Sequence, residues 1–363
     1  MRAAVLTSLG EDEVRVRDDV TTVPVGARDV RLAVRATGIC RSDLSAMAGP
    51  PFLPSSPAVL GHEAAGEVVE VGPAVSGVAV GDHAVVAWIP PCGGCRRCLA
   101  AQPYLCTVHT SRLVSQPRFA VGGQPAFAMA GCGTWAEEVV LPCEAVVKID
   151  RDVPFDSAAL VSCGVVTGVG AVLNTAQVPA GATVVVIGCG GVGTNVLQGA
   201  RVAGASVVVG VDVQPAKRES ATRFGADATC DPSELRDLMP TLGVRKGFDY
   251  AFEVVGRPET IRAAWDATRR GGTTVVVGAG AAEPVTFTAA ELLFDGKRLL
   301  SSLYGSADVR RDYQLILDLW RAGRLDLTGL VSSRLPLDRV NDGIRALRDG
   351  GDVLRQLLVP GLN

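Results

Sequence analysis

A glycine-rich passage between a strand and a helix constrains this chain most. The apolar run Thr183–Ile187 leads into Gly188-Cys189-Gly190-Gly191-Val192-Gly193, and a helical pattern, Gly191–Ala203, follows. The first glycine of such a passage permits a tight turn. The second (Gly190) lets the backbone approach a pyrophosphate, and the third (Gly193) allows close packing of helix on strand. The free N–H groups and positive dipole end of the helix then face the phosphates. Further on, apolar strands alternate with amphipathic helices: Ser206–Val211, Pro215–Phe224, Asp249–Glu253, Pro258–Thr268 and Thr273–Val277. That alternation predicts βαβ units and a parallel sheet covered on both faces.

Asp212 ends the strand after the glycine turn, where an acid that binds a ribose is expected. A carboxylate there accepts hydrogen bonds from the 2′-hydroxyl and repels a 2′-phosphate, so NAD is preferred over NADP. Lys217 and Arg218 could receive a phosphate instead, although Arg218 reads as part of an exposed helix face.

The part before Ser157 is β-rich, with Asp29–Val34, Ala64–Val71 and Gly81–Trp88 as strand patterns. Val114–Cys132 has little periodicity and reads as a long loop, whereas Ser157–Thr175 reads as helix. Between Trp88 and that loop lies a knot of four cysteines, Cys92, Cys95, Cys98 and Cys106. Four thiolates this close in sequence can surround one tetrahedral zinc, a closed shell that builds structure and leaves no position for chemistry. Cys40, His62 and Cys163 lie outside the knot; sharing a second zinc, they would leave one position open.

A chain of 363 residues suggests two domains. Its 48% hydrophobic and 20% charged residues suit packed cores and not disorder. A net charge of −3 favours neither nucleic acid nor an anionic membrane as partner. Ala3–Leu6 is too short for a signal-peptide core, and no apolar run approaches the ~20 residues of a membrane span. A reducing cytoplasm is the expected compartment, and the ten cysteines read as thiols and not disulfides.

Taken in order, Gly38-Ile39-Cys40-Arg41-Ser42-Asp43, Gly61-His62-Glu63, the cysteine knot, Cys163-Gly164-Val165-Val166-Thr167-Gly168, the glycine turn and Asp212 resemble the zinc-dependent medium-chain alcohol dehydrogenases over nearly the whole length. The resemblance implies a Rossmann-type doubly wound sheet beside a β-rich, GroES-like catalytic domain that carries a structural zinc lobe. It places the catalytic domain at residues 1–164 and 305–363 and the NAD domain at 165–304. Cys40, His62 and Cys163 match the catalytic zinc ligands, with water or the substrate oxygen in the fourth position. The four knot cysteines match the structural site. Glu63 matches a carboxylate beside the catalytic zinc, and Asp43 an acid that orients the histidine ligand. Ser42 matches the hydroxyl that accepts the alcohol proton. Arg41 and Arg355 resemble pyrophosphate-binding arginines, while Thr167, Val192 and Val277 fall where the nicotinamide packs. Trp88 and Met129 align with positions that line the substrate pocket.

Many members carry a histidine five residues after the first ligand cysteine; here the position is Ser45. Proton release would then run through the ribose hydroxyl and water, or through Ser45. Pro51 lies near the position of the acidic pocket residue of the glutathione-dependent formaldehyde branch, so thiol-adduct oxidation is disfavoured. Cys163 stands where polyol dehydrogenases usually have glutamate, which disfavours polyols. The implied reaction interconverts a primary alcohol, aromatic or allylic by preference, and its aldehyde with NAD. Two other readings are a zinc-dependent aldehyde reductase of one biosynthetic pathway, using NADPH, and an inactive nucleotide-binding structural protein. A homodimer is expected over a tetramer, with Lys297–Leu303 as the edge segment.

Overall fold

The computed structural model describes residues 1–49, 53, 55–280, 283–351 and 353–362. Pro51 lies outside the described residues. The chain forms two compact units, one of Met1–Cys163, Asp308–Leu317 and Leu327–Asn363, the other of Gly164–Ala307 and Asp318–Asp326.

The first unit is built on two sheets. Its central strand, Asp29–Ile39, alternates: Val30, Leu32 and Val34 point into the core, with half-buried or exposed residues between them. Such alternation is how a strand buries one face only. The strand pairs antiparallel with Ala64–Val71, Glu138–Pro142 and Arg355–Leu358. The registers Thr37↔Ala64 and Gln356↔Ile39 bring residues distant in sequence to the end of one strand. The second sheet of this unit includes the hairpin Phe119–Val121/Gln124–Ala128. The stretch Val114–Cys132, expected as a long loop, therefore holds a hairpin between the end of the helix Val108–Ser115 and the turn Met129–Gly131. Gly122 and Gly123, both at positive φ, make the two-residue turn that such a hairpin demands.

The second unit carries a six-stranded parallel sheet. Its order is Ala228–Cys230, Val207–Val211, Thr183–Ile187, Phe248–Glu253, Thr268–Val276 and Arg298–Ser301. Counted along the chain this is the doubly wound order 3-2-1-4-5-6. Both faces of the first strand are buried. Val184 and Val186 join one apolar core and Val185 and Ile187 another, which is why the run shows no polar alternation.

Two details depart from the sequence reading. The return to the first unit comes at Asp308, and residues 318–326 go back to the second. Gln198 holds that excursion, its side-chain oxygen accepting the Asp326 N–H at 2.6 Å. Phe155–Ala176 is one helical stretch of 22 residues, long and apolar enough by composition to cross a membrane. Most of it is buried inside the protein, as in a core helix. The helix expected over Ser157–Thr175 covers most of it, and its glycines and polar residues are why no unbroken apolar run of ~20 residues stands out in the sequence.

Candidate metal centres and dinucleotide site

Strand registry assembles the first centre. Cys40 follows the central strand and stands at the N-cap of the helix Arg41–Met47. Glu63 precedes the partner strand and faces Gly38, whose N–H donates to the Glu63 carbonyl at 3.0 Å. Arg355 opens the C-terminal strand, one residue before the Gln356↔Ile39 pair, and so arrives beside Cys40. Cys163 lies in a wide helical turn, Val161–Val165.

The ligand atoms of Cys40, His62, Glu63 and Cys163 lie within 4.8 Å of one another, and all four residues are buried. Asp43, fully buried, ties the group together. One carboxylate oxygen accepts the Cys40 N–H at 2.7 Å, and the other sits 3.2 Å from His62 Nδ1. That contact occupies Nδ1 and leaves Nε2 for the cluster, 4.0 Å from Glu63 Oε1. Arg355 Nη1 is 3.2 Å from the same Glu63 oxygen. Neither carboxylate oxygen of Glu63 makes a hydrogen bond among the described residues. Burial pushes the Glu63 carboxyl up to about 7, against the pull of Arg355. A hydrogen bond from the Cys163 thiol holds Cys40 well below the ordinary thiol range, helped by His62 and Arg355. Two sulfurs, an imidazole and an unsatisfied carboxylate, buried together, form a donor set that fits zinc.

Around this cluster, the Ser42 hydroxyl lies 3.8 Å from Cys40 Sγ. The Trp88 ring meets the His62 ring edge-on at 6.1 Å, and Trp88 packs against the apolar cluster that contains buried Met129. Arg41 and Ser45 are exposed, and the Ser45 hydroxyl donates to the Arg41 carbonyl at 3.3 Å. A second layer carries no motif in the sequence. Thr37 donates to the Glu63 carbonyl (2.5 Å), and the fully buried Trp135 donates its indole N–H to the Gly38 carbonyl (2.9 Å). The only sign of it is a glycine inside a strand.

The four knot cysteines form a separate group. Cys92 Sγ is 4.0 Å from Cys98 Sγ, Cys95 Sγ is 3.9 Å from Cys106 Sγ, and all four are free thiols. A zinc tetrahedron with Zn–S bonds of about 2.3 Å has edges of about 3.8 Å, so the spacing fits. Backbone N–H groups of Cys92, Cys95 and Cys98 point at the sulfurs, as thiolates require.

In the second unit, Gly188 turns at φ +96°, and a Cβ on Gly193 would lie 1.8 Å from the Gly188 carbonyl oxygen. Gly190 faces open space, and Gly191 and Val192 are half-buried at the start of the helix Gly193–Val202. Asp212 accepts the Cys189 N–H at 2.8 Å and the Gln214 N–H at 2.9 Å. These bonds fix the carboxylate beside the glycine turn. Lys217 is buried in its helix. Arg218 is half-buried: its guanidinium donates to the Asp212 carbonyl (2.8 Å) and sits 3.8 Å from Asp231. Thr167 and Val277 are half-buried. A 440 Å³ cavity, lined by Val255, Gly256, Arg257 and Gly280 among others, opens beyond the carboxyl ends of two strands. Doubly wound sheets bind ligands at such ends.

Residues 26–151 match the alcohol dehydrogenase GroES-like domain, and residues 191–321 match the zinc-binding dehydrogenase family. The class-3 alcohol dehydrogenase of Cereibacter sphaeroides is 37% identical over 92% of this chain and 93% of its own. The chain belongs to the zinc-dependent medium-chain alcohol dehydrogenases. Another member, the S-(hydroxymethyl)glutathione dehydrogenase of Paracoccus denitrificans, is 35% identical over 90% of this chain and 92% of its own. Benzyl alcohol dehydrogenase from Acinetobacter calcoaceticus superposes with a TM-score of 0.89 at 28% identity, over 99% of this chain and 98% of its own. As a zinc-dependent alcohol dehydrogenase the protein is an oxidoreductase, and its cofactors are zinc and a nicotinamide dinucleotide.

Proposed function

We propose that this alcohol dehydrogenase interconverts a primary aromatic or allylic alcohol and its aldehyde with NAD. One observation carries the reading: the convergence of Cys40, His62 and Cys163 in a buried cluster. With these three as ligands and Glu63 beside them against Arg355, one position of a tetrahedral zinc stays open, the mark of a catalytic site. Bound there, zinc supplies Lewis acidity, and the nicotinamide supplies a two-electron acceptor. Cys92, Cys95, Cys98 and Cys106 hold the structural zinc.

Asp43 keeps the His62 ring in place and its Nε2 available. Ser42, beside Cys40, takes the hydroxyl proton of the alcohol and returns it in the reverse direction. Trp88 and Met129 shape an apolar pocket next to His62, which suits a flat unsaturated substituent. Asp212, anchored through backbone N–H groups, receives the ribose hydroxyls and disfavours a 2′-phosphate. Thr167, Val192 and Val277 pack the nicotinamide, Lys217 supports the ribose end, and Arg41 meets the pyrophosphate. Arg355 is 4% exposed and paired with Glu63, which supports a role at the zinc centre beside any contact with pyrophosphate. The protein acts as a homodimer joined along the edge strand Arg298–Ser301.

The test is an assay of benzyl alcohol, cinnamyl alcohol, ethanol, sorbitol and S-(hydroxymethyl)glutathione, each with NAD and NADP. The highest kcat/KM is expected for the two aromatic alcohols with NAD. A preference for the glutathione adduct overturns the substrate reading, and a preference for NADP overturns the role of Asp212.

A further inference from the structure

Gly38 sits inside the central strand Asp29–Ile39, bonded to neighbours on both sides. Its φ is not positive, so the backbone does not ask for glycine. A glycine in a strand interior weakens the strand and marks a close approach. The approach here is by Glu63. A Cβ on residue 38 would lie 2.1 Å from Glu63 Oε2 and 2.9 Å from its carboxyl carbon. Neither group could yield by moving the strand. The Gly38 N–H donates to the Glu63 carbonyl, and the Gly38 carbonyl accepts from the Trp135 indole. Thr37 clamps the Glu63 carbonyl as well. The side chain of Glu63 is the part free to move. It rests between Gly38 and Arg355, with the donors of Cys40, His62 and Cys163 within 4.8 Å.

We infer that Gly38 is a positioning residue, whose missing side chain makes the seat that holds the Glu63 carboxylate against Arg355 and away from the fourth coordination position. This rests on the zinc reading above. Glycine at 38 thereby decides whether the carboxylate or an incoming ligand occupies that position. A Cβ at 38 closes the seat and pushes the carboxylate toward the ligand cluster.

The test uses full-length protein with cobalt(II) in place of zinc, and free imidazole as the probe ligand. Imidazole binding is read from the visible spectrum of the cobalt. Gly38→Ala is expected to weaken imidazole binding about tenfold or more, the scale on which residues supporting a metal site act, and to shift the spectrum before imidazole is added. Adding Glu63→Asp, which shortens the carboxylate arm by one methylene, is expected to restore imidazole binding to within about threefold of the wild type, because the seat no longer has to hold the longer side chain. A Gly38→Ala protein with wild-type spectrum and affinity overturns the inference. If Gly38→Ala does not fold or does not take up its second cobalt, the double variant must do both. Its failure to do so also overturns the inference, since the damage would then not run through Glu63. Wild-type protein that binds cobalt only at the cysteine knot overturns the zinc reading itself, and the seat with it.

Discussion

Asp43 serves two neighbours at once. It accepts the backbone N–H of one proposed ligand, Cys40, and orients the ring of another, His62. Removing it should loosen both. Asp43→Ala is expected to weaken zinc at the Cys40 site about 10- to 100-fold and to leave the knot's zinc in place. Zinc content after dialysis against graded chelator checks this. Asp43→Asn, which still accepts the Cys40 N–H, should fall between. Cys40, His62 and Cys163 stand out in the sequence because their motifs resemble a known ligand set, and the structure brings them together. Their support does not stand out. Trp135, Thr37 and Thr134 act through single hydrogen bonds to backbone carbonyls, and nothing local in the sequence distinguishes such residues from ordinary core. The resemblance reads Arg355 as a pyrophosphate ligand, whereas in the structure it sits against Glu63. Its pairing with Glu63 depends on strand register, which no local pattern reveals.

At the scale of elements, the parallel sheet could be read from alternating strands and helices, since central strands such as Thr183–Ile187 and Val207–Val211 are short apolar runs. The hairpin Phe119–Val121/Gln124–Ala128 was missed because three- and five-residue strands carry too little alternation. Its Gly122-Gly123 turn was the available signal. Another element carries a pH dependence. The helix Ala289–Phe294 begins with Thr288, whose hydroxyl accepts the Glu291 N–H while Glu291 accepts the Thr288 N–H. Glu291 also takes two hydrogen bonds of 2.7 Å from Arg262. That guanidinium pulls the Glu291 carboxyl from 4.5 down to about 2. A carboxyl lowered on folding contributes stability that is complete above its unfolded value and disappears as pH falls through its folded one. Glu291→Gln should therefore be less stable than wild type above about pH 4.5, with the gap closing toward about pH 2. Urea melts at a series of pH values check it, and added salt should narrow the gap.

For the whole molecule, the edge strand Arg298–Ser301 pairs on one side only among the described residues, with Leu299 exposed in it and Leu303 exposed just after it. Leu292, Leu293 and Phe294 add exposed apolar surface in the preceding helix. An uncovered edge with apolar flanks invites another chain. Leu299→Arg is expected to convert the proposed dimer to monomer in light scattering, while zinc content stays at the wild-type value. An unchanged dimer would place the interface elsewhere. The division into two units was legible in the change from β-rich to alternating pattern near Ser157. The excursion of residues 318–326 was not, because it depends on the side chain of Gln198 meeting a distant backbone.

The strand Arg355–Leu358 has a consequence for synthesis. It pairs with Asp29–Ile39, so the sheet beneath the proposed zinc centre is complete only after residues 355–358 have left the ribosome. A nascent chain can finish its entire dinucleotide-binding sheet while its first sheet still has an open flank. Loading of the proposed metal at Cys40 therefore waits for residues 355–358, whereas the cysteine knot, contained within Cys92–Cys106, has all its thiols long before.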